Sequence, residues 1–214
     1  MALKFMNKEL VIVFVKNMTL GHVKTRLAKS IGNELAFEVY KALVNVTENA
    51  TKKLNTPLRI YFSETIDDSI WEGTYKAVQK GSNLGERMKN AFQKAFDDGY
   101  ERIVLIGSDL PDINVSHLKK GLKALTHSKV VFGPAEDGGY YLIGLSEMNT
   151  KVFNNKSWSQ SHLLAETISE LKQNNTTYST LEVLNDIDTI DDLVSSDFYK
   201  NNKVLQYKIK ELNA

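Results

Sequence analysis

Short apolar runs alternate with amphipathic helical patterns along the chain. The run ELVIVFVK at positions 9–16 lacks the polar alternation of a half-exposed strand, which predicts a strand buried on both faces. From Leu35 onward, apolar residues recur every three or four positions, which predicts one face of a long helix. Asn83 followed by Glu86 resembles a capping box that starts a further helix. The same patterns predict strands at residues 58–62, 75–78, 102–107, 130–132 and 140–145, and helices at residues 116–125 and 159–171. The tail at residues 197–212 is expected to end in one more helix.

This alternation predicts the fold class. Strands that alternate with helices are typical of an α/β sandwich, in which helices cover both faces of a mostly parallel sheet. No internal repeat, low-complexity tract or linker interrupts the pattern, so we expect one domain that spans residues 1–214. In such folds the loops at the carboxyl ends of the strands form the binding crevice.

Composition narrows the classes of partner and chemistry. The 27 basic and 26 acidic side chains leave a net charge of +1, which offers no broad attraction to nucleic acid or to an anionic membrane. The absence of cysteine excludes disulfides, cysteine-ligated zinc and a thiol nucleophile. No stretch approaches the roughly 20 apolar residues of a membrane helix, so we expect a cytoplasmic protein. The sequence leaves the oligomeric state open.

The loop after the first predicted strand combines a glycine with positive charge. Gly21 permits a close backbone approach, and Lys16, Lys24 and Arg26 place three cations around it, which suits a phosphate group. The sequence GHVKTRL is neither a Walker A loop nor a dinucleotide-binding GxGxxG. The alternative is a solvated basic loop before a helix.

Carboxylates follow two later strands. Asp109 comes directly after a buried apolar strand, at the mouth of the expected crevice, where it could bind Mg²⁺ or Mn²⁺. The alternative is an Asp that caps the next helix or fixes a turn, a role that suits Asp112 equally well. Asp186 and Asp188 follow a strand expected to run up to Val183, and an extended segment would point both carboxylates the same way.

The stretch FGPAEDGGYYLIGL places two acids and two glycines between apolar runs. Gly138 and Gly139 let the backbone turn sharply and approach a ligand. Glu136 and Asp137 offer acceptors for sugar hydroxyls, for metal-bound water or for a transferable proton. The alternative is an ordinary Asp-Gly hairpin turn.

Six motifs in this order resemble a known family: GHVKTRL, QKGSNLGERM, IGSDLPDI, GPAEDGGYYLIGL, the pair Trp158-Ser159, and DIDTIDDL. They are similar to motifs of the bacterial glycosyltransferase-like proteins of the DUF2064 family, within the nucleotide-diphospho-sugar transferase superfamily with the GT-A fold. The match runs in register from about Val11 to Leu193. The resemblance implies a Rossmann-like three-layer α/β/α sandwich with a mostly parallel sheet and a nucleotide over the carboxyl ends of its strands.

Carried over position by position, the resemblance implies four groups of residues in one site. Metal binding, with Mg²⁺ or Mn²⁺ as cofactor, is implied for Asp109 and Asp188, with Asp186 as the alternative to Asp188. Catalytic roles are implied for Asp137, Lys24 and Arg26. The implied nucleotide- and phosphate-binding residues are Lys16, Gly21, Lys24, Arg26, Gln79, Gly81 and Ser108. The implied acceptor or sugar loop comprises Glu136, Asp137, Gly138 and Gly139.

The leading hypothesis is a metal-dependent transferase that uses a nucleotide-diphospho-sugar to glycosylate a small acceptor, with fixed cations that neutralise the leaving group. One alternative is a guanylyltransferase-like nucleotidyltransferase, in which a substrate phosphate attacks an NTP and releases pyrophosphate. A second alternative, from another class, is a nucleotide-binding module without turnover. The sequence does not identify the base, the sugar or the acceptor.

Overall fold

The computed structural model describes residues 8–212 of the chain. The strands are β1 (Glu9–Val15), β2 (Leu58–Phe62), β3 (Tyr75–Val78), β4 (Arg102–Ile106), β5 (Val130–Pro134), β6 (Tyr140–Leu145) and β7 (Tyr178–Thr180). The helices are α1 (Thr25–Lys52), α2 (Leu84–Asp97), α3 (Val115–Ala124), α4 (Leu163–Gln173), α5 (Ile190–Ser195), α6 (Asp197–Lys200) and α7 (Lys203–Leu212). A short 3-10 helix covers Thr150–Val152. None of the described helices is both long enough and apolar enough to cross a membrane.

These seven strands form one sheet in the order β3-β2-β1-β4-β6-β5-β7. Strand β6 runs antiparallel to its neighbours β4 and β5, and the other described pairs are parallel. The predicted α/β class with a mostly parallel sheet is therefore confirmed. Because parallel strands end at the same edge, the loops after β1, β2, β3, β4, β5 and β7 meet there.

Strand β1 is buried on both faces, as its continuous apolar run predicts. Val11 and Val13 pack in the cluster that includes side chains of α1 and α3. Leu10 and Ile12 pack in the opposite cluster, which includes side chains of α2 and α4. All four residues are fully buried, so helices cover both faces of the sheet at its centre.

The outer face of α1 forms a third cluster with the C-terminal part of the chain. Leu27 and Ile31 of α1 pack with Ile187, Leu193 and other apolar residues of the segment from 187 to 209. This packing holds the segment after β7 against the start of α1. It therefore brings the late aspartates beside the basic first loop.

Some predicted boundaries differ from the structure. Helix α1 begins at Thr25, well before Leu35, and Gly32 interrupts it with a non-helical φ of 78°. Helix α4 begins at Leu163, because Ser159 adopts a φ of 63° that a helix does not accept. The tail at 197–212 ends in a helix, α7, as predicted, and the short helix α6 precedes it.

Two further local predictions are partly wrong. The strand expected to reach Val183 ends at Thr180, and only an isolated bridge at Leu184 follows it. Asn83 caps α2 as predicted, since its side chain accepts from the Glu86 backbone N at 3.0 Å. The capping box is incomplete, however, because the Glu86 carboxylate accepts from Ser82 instead.

Candidate functional site

Lys24 lies at the centre of the site, at the start of α1. Its side chain is 4% exposed, and its Nζ donates to Asp109 Oδ2 at 2.9 Å and to Asp188 Oδ1 at 3.0 Å. Burial alone would lower the pKa of this lysine, but the charges of Asp109 and Asp188 and their hydrogen bonds outweigh burial and raise it. Arg26 is held more loosely, with Nη1 3.6 Å from Asp188 Oδ2 and a side chain that is 70% exposed.

Three aspartates converge around this lysine. Asp109, Asp186 and Asp188 each place a carboxylate oxygen within 4.8 Å of the others. Burial raises the pKa of Asp186 to about 6, and the charges of Asp109 and Asp188 add to this effect. These three carboxylates surround a single buried ammonium group, that of Lys24, which bonds to two of them. Oxygen ligands in this arrangement fit a hard divalent ion such as Mg²⁺ or Mn²⁺, with Asp186 and Asp188 both available.

A cavity of about 710 Å³, here called the crevice, opens beside this cluster. Its volume lies in the range of small-molecule sites. Its lining includes the predicted residues Lys16, Lys24, Arg26, Gln79, Ser108, Asp109 and Asp188. Arg87 of α2 and Tyr40 of α1 also line it, and sequence reasoning missed both. Arg87 could have been found, because it lies in the first turn of α2, within the QKGSNLGERM motif.

Two of the predicted residues shape the wall of the crevice. The Ser108 hydroxyl lies 3.0 Å from the Tyr40 hydroxyl, which donates to the Lys16 carbonyl at 3.0 Å. Gln79 Nε2 donates to the Tyr61 carbonyl at 3.0 Å. These bonds tie the carboxyl ends of β1 and β4 to α1, and the end of β3 to β2. The side chains of Ser108 and Gln79 thus already have partners within the protein.

Gly21 and Gly81 are outside the lining of the crevice. Both have positive φ, 79° and 144°, so each allows a backbone turn that a larger residue resists. A Cβ at Gly81 would come within 2.7 Å of the Arg87 backbone N, and the Gly81 carbonyl accepts from Arg87 Nε at 3.2 Å. In this structure Gly81 therefore holds the start of α2 and one crevice arginine in place.

A smaller cavity of about 250 Å³, here called the aromatic pocket, shares part of this lining. Trp158, Tyr140 and Tyr141 line it together with apolar side chains from the sheet, α2 and α4. The residues common to both cavities are Phe14, Leu84, Gly107, Asp109 and Ser159. The two cavities are therefore neighbours, and Asp109 of the acidic cluster stands between them.

Both tyrosines of the Tyr140-Tyr141 pair line the aromatic pocket. Successive strand residues point to opposite faces, which predicts that at most one of them faces a site. Their side chains do pack on opposite faces of the sheet, Tyr141 in the cluster of Val11 and Val13 and Tyr140 against the cluster of Leu10 and Ile12. The pairing of β5 with β6 shifts register between Gly133 and Pro134, and the Tyr141 ring lies against Gly133, where a Cβ would come within 2.3 Å of Cζ.

The predicted acceptor loop contributes two of its four residues to the pocket. Asp137 and Gly139 line the aromatic pocket, and Asp137 Oδ1 accepts from the Gly139 backbone N at 2.8 Å. Glu136 lies in a separate depression, which Asp186 also lines. Asp137 thus has a fixed orientation next to the acidic cluster, whereas Glu136 faces elsewhere.

Gly138 makes a close backbone contact with another segment of the protein. Its φ is +87°, and a Cβ there would lie 1.8 Å from the Ser161 carbonyl oxygen. Its own carbonyl accepts from the Leu164 backbone N at 3.1 Å. The close backbone approach predicted for this glycine therefore exists, but its partner is the segment before α4.

The sequence profile of a family described as "Uncharacterized protein conserved in bacteria (DUF2064)" matches residues 46–160. A solved structure, a candidate nucleotide-diphospho-sugar transferase from Desulfovibrio desulfuricans G20, is 33% identical to this chain. The alignment covers 97% of this chain and 96% of that one, with a TM-score of 0.87. No curated protein matches the chain in sequence.

Two more distant structures share the fold alone. The 4-diphosphocytidyl-2C-methyl-D-erythritol synthase from Anaerococcus prevotii DSM 20548 is 11% identical, with 91% and 97% of the two chains covered and a TM-score of 0.56. Rv0371c from Mycobacterium tuberculosis H37Rv, in complex with manganese, is 14% identical, with 87% and 96% covered and a TM-score of 0.51. The chain therefore belongs to the DUF2064 family and has the fold of the nucleotide-diphospho-sugar transferases.

Proposed function

We propose that this protein is a metal-dependent glycosyltransferase that moves a sugar from a nucleotide-diphospho-sugar to a small acceptor. The observation that carries the proposal is the division of charge between two neighbouring cavities. The lining of the crevice includes the cations Lys16, Lys24, Arg26 and Arg87. Among the described residues that line the aromatic pocket, none is Lys, Arg or His.

The crevice fits the diphosphate of the donor. Lys24 and Arg26 supply positive charge beside the position of the leaving group, where negative charge develops in the transition state. A divalent ion held by Asp109, Asp186 and Asp188 would neutralise further negative charge on the departing nucleoside diphosphate. The cations of this chain thus stand where the donor's phosphates would need them.

The aromatic pocket fits the sugar and its acceptor. Aromatic side chains such as Trp158 in its lining suit the apolar faces of a sugar ring. In the proposed reaction the acceptor hydroxyl oxygen bonds to the anomeric carbon, and the bond from that carbon to the diphosphate oxygen breaks. Asp137 takes the hydroxyl proton, a role that its orientation by Gly139 supports.

The same pocket argues against the nucleotidyltransferase alternative. In that reaction a phosphate of the second substrate attacks the NTP, so its pocket would need cations to hold that phosphate. Here the pocket is lined by three carboxylates, Asp109, Asp137 and Asp186, without a basic side chain among its described residues. This charge favours an acceptor with neutral hydroxyls. The metal residues and crevice cations, in turn, favour turnover over a simple binding module.

A thermal-shift panel of nucleotide-diphospho-sugars and NTPs with Mg²⁺ or Mn²⁺ tests the proposal on the natural protein and on Asp109→Asn. A specific ligand at about 100 times its Kd adds roughly 2.7 kcal/mol. At about 2–4 °C per kcal/mol, Tm should rise by roughly 5–11 °C. We expect stabilisation by a nucleotide-sugar that disappears without metal and in Asp109→Asn. Stabilisation by NTPs alone, with pyrophosphate as product, would support nucleotidyl transfer instead.

A further inference from the structure

Lys24 occupies the place where a metal would meet its ligands. Its Nζ lies 2.9 Å from Asp109 Oδ2 and 3.0 Å from Asp188 Oδ1, two of the three carboxylates that could hold a divalent ion. The lysine side chain is 4% exposed, whereas the Asp109 and Asp188 side chains are 37% and 41% exposed, so the carboxylates stay accessible to another partner. An ammonium group and a divalent cation cannot both be close to the same carboxylate oxygens without strong repulsion.

The backbone of Lys24 is held in an unfavourable conformation. Its φ of 47° and ψ of 45° are left-handed, a conformation that costs free energy for a residue with a side chain. No side-chain hydrogen bond caps the helix that begins after it. The ion pairs to the two aspartates therefore offset a local cost, and a stronger partner for the ammonium would release the loop.

Such a partner would bind in the adjoining crevice. Lys24 lines the crevice, together with the more exposed cations Lys16, Arg26 and Arg87. A diphosphate bound there would offer the ammonium several charged oxygens in place of the two carboxylates. Movement of Lys24 toward the phosphates would leave Asp109 and Asp188 free for a metal.

We propose that Lys24 is an internal cation that closes the metal site of the ligand-free protein, and that a bound diphosphate draws it out and opens the site to the metal. The inference rests on the proposed function, since it takes the acidic cluster as a metal site and the crevice as a phosphate site. It adds that metal and diphosphate bind cooperatively. By linkage, each raises the affinity for the other by the same factor.

The test uses Lys24→Met, which removes the charge and keeps an unbranched side chain only one atom shorter. Mn²⁺ affinity is measured by electron paramagnetic resonance without nucleotide, and affinity for inorganic pyrophosphate is measured by calorimetry without metal. We expect opposite changes: Mn²⁺ binds at least ~10-fold tighter because one competing charge is gone, and pyrophosphate binds at least ~10-fold weaker because one phosphate ligand is lost. Lys29→Met removes the same charge from an exposed position of α1 and should leave both affinities within about twofold.

Lys24→Gln serves as a second variant if Lys24→Met does not fold, because glutamine keeps a hydrogen-bond donor near the aspartates. A lysine with a purely structural role would weaken both affinities on removal, and that result overturns the inference. Unchanged Mn²⁺ affinity in Lys24→Met also overturns it, while the metal site itself would stand. If neither the natural protein nor the variants bind Mn²⁺, the proposed function fails together with the inference.

Discussion

Replacement of Gly138 by alanine tests how the acceptor loop is anchored. The φ of Gly138 is +87°, and an added Cβ would lie 1.8 Å from the Ser161 carbonyl oxygen and 2.6 Å from the carbonyl carbon. The Gly138 carbonyl also accepts from the Leu164 backbone N at 3.1 Å. A methyl group can therefore be placed only if the loop separates from the segment before α4. That separation would also displace Asp137, the proposed base.

The cost of this substitution has two parts. The left-handed backbone costs about 1–2 kcal/mol for a residue with a side chain. Displacement of tightly packed backbone adds roughly 1–3 kcal/mol, as overpacking does in protein interiors. A central value of about 3.5 kcal/mol lowers Tm by about 7–14 °C for a chain of this size.

Two other glycines provide matched controls. Gly32 also has a positive φ, +78°, but nothing lies within 4 Å of its added Cβ. Gly32→Ala therefore costs only the free energy of a left-handed backbone, about 1–2 kcal/mol, without the cost of overpacking. At Gly139 the φ is not positive and the nearest atom is the Asp137 carboxylate oxygen at 3.1 Å, which can move aside. Gly139→Ala should cost less than about 1 kcal/mol.

Urea and thermal denaturation followed by circular dichroism measure the three variants side by side. We expect the order of destabilisation to be Gly138→Ala, then Gly32→Ala, then Gly139→Ala. If Gly138→Ala is no less stable than Gly32→Ala, the contact with Ser161 does not anchor the loop and the reasoning fails.

Two further predictions concern the aspartates of the site. Asp137→Asn should lower kcat at least ~100-fold with the nucleotide-sugar substrate, as loss of a general base does, and should leave the nucleotide-induced thermal shift unchanged. Full turnover of that variant would rule out the base role. Thr189→Ala removes the cap of α5, in which the hydroxyl accepts from the Asp192 backbone N at 3.2 Å. Tm should fall by about 2–4 °C for a loss of about 1 kcal/mol. Mn²⁺ should also bind more weakly, because Asp192 Oδ2 holds the Asp188 backbone N at 3.1 Å. Thr189→Ser keeps the cap and should behave like the natural protein, and equal Mn²⁺ affinity in Thr189→Ala would contradict the link to Asp188.

The arrangement of layers followed from local patterns in the sequence. The unbroken apolar run of β1 predicted burial on both faces, and the structure confirms it. Asn83 was identified as a helix cap from residue type and position, and its side chain accepts the expected backbone hydrogen bond. Such features depend on neighbouring residues and on side-chain periodicity, which the sequence displays directly.

The candidate site was predicted only as separate parts. The basic loop and Asp109 were identified one by one, but Lys24 lies 85 positions from Asp109 and 164 from Asp188. No local pattern indicates that one ammonium bridges both carboxylates. Arg87 lies within a motif that the sequence displays, but its place on the wall of the crevice depends on how α2 packs against the sheet.

For Gly138 and Gly139 too, the sequence determined one part of the structure and tertiary packing determined the other. The sequence alone determined that residues 136–139 form a turn between two strands, because an Asp-Gly-Gly stretch between apolar runs permits little else. Only the tertiary structure decided that Gly138 faces the Ser161 backbone while Gly139 and Asp137 face the aromatic pocket. The physical reason is that the need for glycine at a position depends on which atoms lie where a Cβ would otherwise be. At Gly138 those atoms belong to a segment distant in sequence.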